Sequence, residues 1–272
     1  MSTRDPVEAG KPERVHAGPL LLAPLNLDAA LCYTGEMVAG GGQHYVCFCE
    51  ANLLAQSARE PRIVEVLNQS DATFADGIAV VALAHLHGHR LPGRVSGPSF
   101  FIRACEYGVS RGWRHFFYGG REGVAATLGA RMQERFPGIE IAGTYTPPFR
   151  QLSALAEDDE VLRRIEATQP DLLWVGLGGP KQEFWMAEHR YRMRVPVMLG
   201  VGAAFDFHTG NRPWAPSLVR RLGLEWAWRT FTGGPATLKR NIRCVSIVTC
   251  MLLRACLSRK AVAATAPHDG KR

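Results

Sequence analysis

Apolar residues along this chain gather in short runs separated by glycine, proline, asparagine and charged positions. Residues 45–49 (YVCFC), 72–75 (ATFA), 115–118 (HFFY), 139–142 (IEIA), 172–175 (LLWV) and 196–199 (PVML) are each four or five residues long. Runs this short and this continuous suit strands covered on both faces, as in a parallel sheet. Residues 19–27 (PLLLAPLNL) read as an earlier strand interrupted by Pro24. Helical spacing fills the gaps: a stretch through Met37, then 52–66, 78–87 and 124–136, and a segment carrying the acidic run 157–160. That acidic run is expected to be a solvated face near a helix N-terminus. Strand and helix alternate from about residue 20 to 210 without repeat or linker, which predicts a single α/β domain with a mainly parallel sheet. Beyond Trp214 the pattern turns continuously helix-compatible. The expected division is a disordered start (1–18), an α/β core (19–212), a basic helical appendage (213–258) and a disordered tail (259–272).

Composition narrows the class. The 272 residues are enough to bury a full core, and 46% hydrophobic with 21% charged residues is ordinary for a soluble globular protein. A formal charge of +7 favours anionic partners such as nucleotide phosphates or acidic headgroups. The basic residues concentrate between 212 and 260, and no zinc-finger, helix-turn-helix or RNA-recognition signature accompanies them, so nucleic acid is not the expected partner. Seven cysteines without regular spacing suit a reducing cytoplasm better than a disulfide framework. Cys47 and Cys49 alternate on one strand, which predicts two core thiols on one face. The start, MSTRDPVEAGKPERVHAGP, has no apolar signal region, and no apolar run nears the roughly 20 residues of a spanning helix. The expected location is cytoplasmic unless the C-terminal segment holds the chain to a membrane surface.

Candidate chemistry centres on residues 170–190, PDLLWVGLGGPKQEFWMAEHR. A strand, then Gly176, Gly178 and Gly179, then Pro180 opening a helix, leaves free N–H groups where an anion can sit. Lys181, Gln182 and Glu183 stand beside that position. Any βα unit of a doubly wound sheet also needs such a turn, and the match to G-x-G-x-x-G is poor. Gly119 and Gly120 open a second glycine turn, FFYGGREG. Asp76 ends a strand, where ligands bind in open α/β sheets, or else caps the helix that follows. Asp206 is expected at another strand end, able to accept hydrogen bonds from a base or ribose. His85, His87 and His89 do not share a helix face and lack partners at zinc-ligand spacing, so no metal is assigned to them. The Asp-x-Asp pattern that holds a divalent ion on a sugar nucleotide is absent from the chain. The segment after Trp214 interleaves Arg220, Arg221, Arg229, Lys239, Arg240 and Arg243 with Trp226, Trp228 and Phe231. It reads either as an interfacial membrane-binding segment or as a helical pair packed on the sheet.

G-L-G-G-P-K-Q-E-F-W resembles the G-x-G-x-P-x-Q-E-x-W signature of the WecG/TagA/CpsF glycosyltransferases, and Ala75-Asp76-Gly77, FFYGGREG, GVGAAFDF and GLEWAWR follow that family's order. The likeness covers roughly residues 20 to 243. It implies a Rossmann-like fold and inverting, metal-independent transfer of a hexose-type sugar from a UDP-sugar to a polyprenyl-diphosphate-linked sugar. That chemistry serves bacterial cell-surface polysaccharide biosynthesis at the inner face of the membrane, with no cofactor. N-acetylmannosaminyl, N-acetylmannosaminuronyl and glucosyl transfer all occur in the family. The resemblance makes Asp76 the general base. It leaves Arg221, Arg229 and Arg240 as candidates for a diphosphate, and Asn52, Gly178, Gln182, Glu183 and Asp206 as candidates for nucleotide or sugar contacts. Two departures stand out: Glu50 replaces a threonine, and Ser99 replaces an aspartate. A homo-oligomer is compatible with the sequence. The competing readings are a nicotinamide-dependent oxidoreductase, which lacks a clean glycine fingerprint and its acidic partner, and a non-enzymatic membrane-surface scaffold resting on the C-terminal segment alone.

Overall fold

The structure, a computed structural model, describes residues 12–148, 157 and 159–265; the side chains of Arg221, Arg229, Ala236 and residues 260–265 lie outside that description. The elements in chain order begin with strands β1 (Val15–Ala17) and β2 (Leu20–Leu22), helix α1 (Leu27–Gly40), β3 (His44–Cys49), α2 (Ala51–Ser57), α3 (Pro61–Gln69) and β4 (Ala72–Ala75). There follow α4 (Ile78–Leu86), α5 (Gly97–Val109), β5 (Arg114–Gly119), α6 (Val124–Arg135), β6 (Glu140–Tyr145) and α7 (Asp159–Ala167). The rest are β7 (Leu172–Gly176), α8 (Lys181–His189), β8 (Val197–Gly200), α9 (Ala204–His208), α10 (Ser217–Arg221), α11 (Glu225–Thr232) and α12 (Gly234–Thr265).

Six strands form one sheet in the order β4-β3-β8-β7-β5-β6, and every neighbouring pair is parallel. Parallel strands buried on both faces need apolar side chains at alternate positions pointing each way, and the short runs supply them. Tyr45, Cys47, Cys49, Leu173, Val175 and Met198 pack with α2, α3, α4, α8 and α12 on one face. Val46, Phe48, Leu172, Trp174, Val197 and Leu199 pack with α1, α5 and α6 on the other. The two strand thiols are free, buried and on one face, as expected.

Because all six strands point one way, their carboxyl ends share one edge of the sheet. The register pairs Cys49 with Ala75, Cys47 and Val175 with Gly200, and Gly119 with Gly176. The chain leaves β5 towards β6 and leaves the adjacent β7 towards β8 on the opposite side, so the two glycine turns flank a point where connections diverge. Ligands of open α/β sheets bind at such points.

Several expectations on element limits need correction. Residues 19–27 are not one strand: β1 and β2 form an antiparallel hairpin through Gly18 (φ 64°), and Asn26 caps α1 by accepting from the Ala29 N–H at 2.9 Å. The 52–66 stretch is two helices, since Pro61 starts a new one. Asp206 lies on the short helix α9 rather than at the end of β8, which stops at Gly200. Glu157 is not solvated: it is 4% exposed and accepts a short hydrogen bond from the Tyr118 hydroxyl. Asp158 of that run lies outside the described residues, as do residues 1–11 and 266–272 of the two expected disordered ends. β1 already begins at Val15 and α12 continues to Thr265.

α12 also changes the membrane reading. Its stretch Thr237–Arg259 is long and apolar enough to cross a membrane by length and composition, although only 11% of that window is buried. In the sequence only Val245 to Leu253 reads as apolar, too short to span though able to dip into a bilayer; the helix extends that window past the basic residues on either side. Core helices of soluble proteins that pass the same test are mostly buried, which this window is not. What α12 does bury is a narrow stripe, Cys244, Val248 and Ala255, laid against α2 and α4.

Candidate active site

Asp76 follows β4 directly, and its backbone N–H still pairs with the Cys49 carbonyl across the sheet. Its side chain does not cap the helix that follows: α4 is preceded by Gly77 and has no side-chain cap. Instead Asp76 Oδ2 accepts the Gly97 N–H at 3.1 Å, the first amide of α5. A carboxylate there satisfies one orphan donor and meets the positive end of a 13-residue helix. Oδ1 takes no partner among the described residues. Burial pushes the Asp76 carboxyl up to about 6; the Gly97 N–H pulls down, Glu225 pushes up, Arg94 pulls down and Glu50 pushes up. Partial burial with one free oxygen is the environment of a base poised near neutral pH.

Asp76 opens on a cleft of about 310 Å³ of empty space, part of it continuous with solvent. Ser96 and Pro98 from the start of α5 share its floor, and Phe207 flanks it. The remaining wall is the C-terminal appendage, which contributes Trp214, Glu225 and Trp228. Four contacts hold that wall. Arg94 donates to Glu225 Oε2 at 2.5 Å and to the Arg220 carbonyl at 2.8 Å. The Arg220 guanidinium stacks 3.8 Å from the Trp214 ring centre. Gly223 (φ 68°) meets Ile78 so closely that a Cβ would lie 2.1 Å from its Cγ2, which only glycine allows. Neither Arg94 nor Glu225 stood out in the sequence, although the first sits in the loop RLPGRVSG and the second between Gly223 and Trp226 in GLEWAWR.

The glycine turn after β7 is held from within. The Gly178 N–H donates to Gln182 Oε1 at 3.1 Å, while Gln182 Nε2 donates to the Gly200 carbonyl at 2.8 Å and to Glu183 Oε1 at 2.9 Å. Both amide hydrogens of Gln182 are thus spent inside the protein, tying the turn after β7 to the end of β8. Glu183 is 1% exposed, its Oε2 has no partner among the described residues, and burial pushes its carboxyl up to about 7. Gly178 (φ 79°) faces open space, whereas Gly119 and Gly176 approach each other so closely that a Cβ on Gly119 would sit 2.7 Å from the Gly176 carbonyl carbon. Gly120 donates its N–H to the Gly176 carbonyl at 3.0 Å. The glycine pair of β5 therefore serves strand packing, and Gly178 leaves room.

The other sequence candidates spread around this edge. Glu50 follows β3 at the N-cap position of α2 without a side-chain cap, beside Gly77, and it pushes the carboxyls of both Asp76 and Glu183 upward. Asn52 lies in the first turn of α2, its carbonyl accepting from Gln56. Lys181 opens α8. Asp206 is committed to an ion pair with Arg212 at 3.2 Å. Arg221 ends α10 and Arg229 lies within α11, with side chains outside the described residues. Arg240 is exposed on α12, one turn before the buried Cys244, a thiol whose surroundings include both Arg240 and Glu50. Ser99 stands in the first turn of α5, one residue past the cleft floor at Pro98.

Comparison with known proteins agrees with this layout. A sequence model described as the glycosyl transferase WecG/TagA/CpsF family matches residues 18–262, from the β1–β2 hairpin into α12. An "N-acetylglucosaminyldiphosphoundecaprenol N-acetyl-beta-D-mannosaminyltransferase" from Bacillus spizizenii is 35% identical over 72% of this chain and 74% of its own length. Proteins of the same name from Bacillus subtilis and Staphylococcus aureus are 33% and 31% identical, each over 61% of this chain. Those matches span 62% and 63% of the two proteins' own lengths, under two thirds. A match running from the first hairpin through the sheet and its carboxyl edge to the appendage that walls the cleft makes this chain a member of the WecG/TagA/CpsF glycosyltransferase family.

Proposed function

We propose that the protein transfers an N-acetylmannosaminyl or related hexose-type residue from a UDP-sugar to a sugar carried on a polyprenyl diphosphate. The observation that carries this reading is Asp76: a carboxyl with one oxygen held by a helix amide, the other unpartnered among the described residues, and a proton affinity raised to about 6 in a cleft lined by tryptophans. The names of the relatives support the lipid-linked acceptor and the mannosaminyl group. In the proposed step the acceptor hydroxyl oxygen bonds to the anomeric carbon as the bond from that carbon to the UDP oxygen breaks. The hydroxyl proton passes to Asp76, and attack from the face opposite the leaving group inverts the centre. General base assistance of this kind contributes roughly 10²–10⁴-fold. Arg221, Arg229 and Arg240, carried on three successive appendage helices, are the cations proposed to balance the diphosphate in place of a metal, since the chain carries no Asp-x-Asp. Asn52, Lys181 and the open face of Gly178 are the proposed donor contacts, with Gln182 and Glu183 holding the turn that presents them.

The exposed apolar residues of the appendage, including Leu218, Phe231 and Leu257, support docking on a membrane where the acceptor's sugar is presented at headgroup depth. The test is transfer by the full chain from UDP-N-acetylmannosamine to a prenyl-diphosphate-linked N-acetylglucosamine, with and without EDTA. Product formation unaffected by EDTA is expected. Activity restored only by Mg²⁺ or Mn²⁺ would overturn metal independence. NAD binding without any UDP-sugar turnover would favour the oxidoreductase reading.

A further inference from the structure

The cleft holds a second carboxylate. Glu225, at the first position of α11, lines the same cavity as Asp76, and its side chain is 14% exposed. It is fixed there by Arg94, whose guanidinium bridges two successive helices of the appendage, taking Glu225 of α11 through Nη1 and the carbonyl of Arg220, near the end of α10, through Nη2. The seat is reinforced two residues after Asp76, where Ile78 meets Gly223 at the turn between those helices. An ion pair meant only to anchor the appendage has no need to reach the base's cavity; this one puts its carboxylate there.

We infer that Glu225 is a positioning residue for the base: held by Arg94 in the same cleft, it adds to the proton affinity of Asp76, so that seating α11 and strengthening the base are a single event. The inference rests on the proposed role of Asp76. Among the described residues, the groups facing Asp76 are few. Glu225 comes from α11, Arg94 from the loop before α5, Glu50 from the end of β3, and the Gly97 N–H from α5 itself. From α9, His208 is engaged with the Pro98 carbonyl and Asp206 with Arg212. With the appendage seated, a carboxylate in the cleft makes Asp76 a better proton acceptor, and Arg94 limits the effect so that Asp76 remains ionised at neutral pH. Without it, Arg94 and the Gly97 N–H would face Asp76 with only Glu50 opposing them, and leave a weaker base.

The two partners of one ion pair therefore have opposite signatures. Glu225→Gln removes the negative charge and unmasks Arg94. In the full chain it should move the acid limb of kcat/KM, and the titration of the Asp76 carboxyl followed by ¹³C NMR, down by about one pH unit. Arg94→Gln leaves Glu225 uncompensated and should move both upward. Glu225→Asp keeps the charge and should leave the titration close to that of the unaltered protein, provided thermal unfolding shows the variant folded. A mere anchor predicts something else: both variants lose transfer alike with the Asp76 titration unmoved, or moved in the same direction, and either result overturns the inference. So does a Glu225→Asp titration displaced as far as that of Glu225→Gln. If the NMR titration moves in opposite directions while Asp76→Asn retains turnover, the coupling stands and the assignment of Asp76 as base falls.

Discussion

Replacing Asp76 by asparagine separates catalysis from stability in a way that few single substitutions can. The amide oxygen of the substituted side chain can still accept the Gly97 N–H, so the α5 terminus stays satisfied, while the variant cannot take a proton. In the folded protein the carboxyl titrates near 6 against an ordinary value of 3.8. The sign follows from proton binding. Between those values the folded state holds the proton and the unfolded state has released it, so stability falls as pH rises through that window. Below about pH 4 both states are neutral and the carboxyl costs nothing. Above about pH 6 it is charged in both, and the folded state bears the cost of holding the charge in a partly desolvated cleft. At about 1.36 kcal/mol per pH unit the gap corresponds to roughly 3 kcal/mol, an upper figure because the cleft admits solvent.

Asp76→Asn should therefore be more stable than the unaltered protein at pH 7, by about 1–3 kcal/mol in urea unfolding, and should converge with it near pH 4. Over the same series transfer should drop by about 10²–10⁴ with UDP affinity little changed. The unaltered enzyme should lose kcat/KM about tenfold per pH unit below about 6, and the residual rate of the variant should lack that limb. A variant less stable at pH 7 by more than about 1 kcal/mol would show that the charge itself matters to the α5 terminus, and the side chain would then be a helix cap rather than a base. Near-normal turnover would refute the base outright.

Gln182→Ala strands the Gly178 N–H and the Gly200 carbonyl, and should cost about 2–4 kcal/mol in urea unfolding together with UDP affinity, whereas Glu183→Gln should keep the fold. His115 accepts the Trp174 indole N–H on Nδ1, and burial holds its imidazole down to about 4, so stability present above pH 6.5 should be lost as pH falls towards 4, by about 3 kcal/mol in total. His115→Gln should flatten that acid loss in denaturation curves, and an unchanged slope would contradict it. Phe231 is 88% exposed and Leu218 66%, so Phe231→Ser with Leu218→Ser should weaken sedimentation with anionic vesicles while leaving Tm almost unmoved; undiminished sedimentation would point to another docking surface.

The strands were legible because a buried parallel strand writes itself into four or five consecutive apolar residues, and the carboxyl edge follows once the strands are parallel. Partners distant in sequence were not legible. The hairpin rests on Asn68, which takes the Leu21 N–H and donates to the Pro19 carbonyl from almost 50 positions away. Asp76 lies where the sequence put it, but the helix it caps begins 21 residues later rather than next door. Gln182 and Glu183 belong to the family signature and read as ligand contacts; in the structure they are buried, and the Gln182 amide is spent on backbone groups and on Glu183. Local pattern could place these side chains at the right edge of the sheet without showing whether they face a ligand or the protein. Glu225 lies in the GLEWAWR motif, but nothing local showed that it pairs with Arg94, 131 positions away.

The appendage joins the cleft, the core and the exposed apolar surface proposed to dock on a membrane. Deleting everything after Arg212 would seem to test it as a membrane anchor, yet Cys244, Val248 and Ala255 lie in the same core cluster as Leu53 and Leu54 of α2 and Val80 and Leu83 of α4. Truncation would bare that cluster and remove a wall of the cleft in one stroke, so loss of activity would say nothing about lipid. The outward-facing residues of α12, Ile242, Val245, Leu253 and Leu257, are a different set from the inward stripe. A helix can cover a core with one stripe and offer a second to a membrane, and substitutions confined to one stripe can report on each separately. Arg94 and Glu225 close the remaining gap, since they join the base's cleft to α10 and α11 and belong to neither stripe. The proposed docking and catalytic roles thus fall on one segment through separate contacts, and each contact can be removed alone.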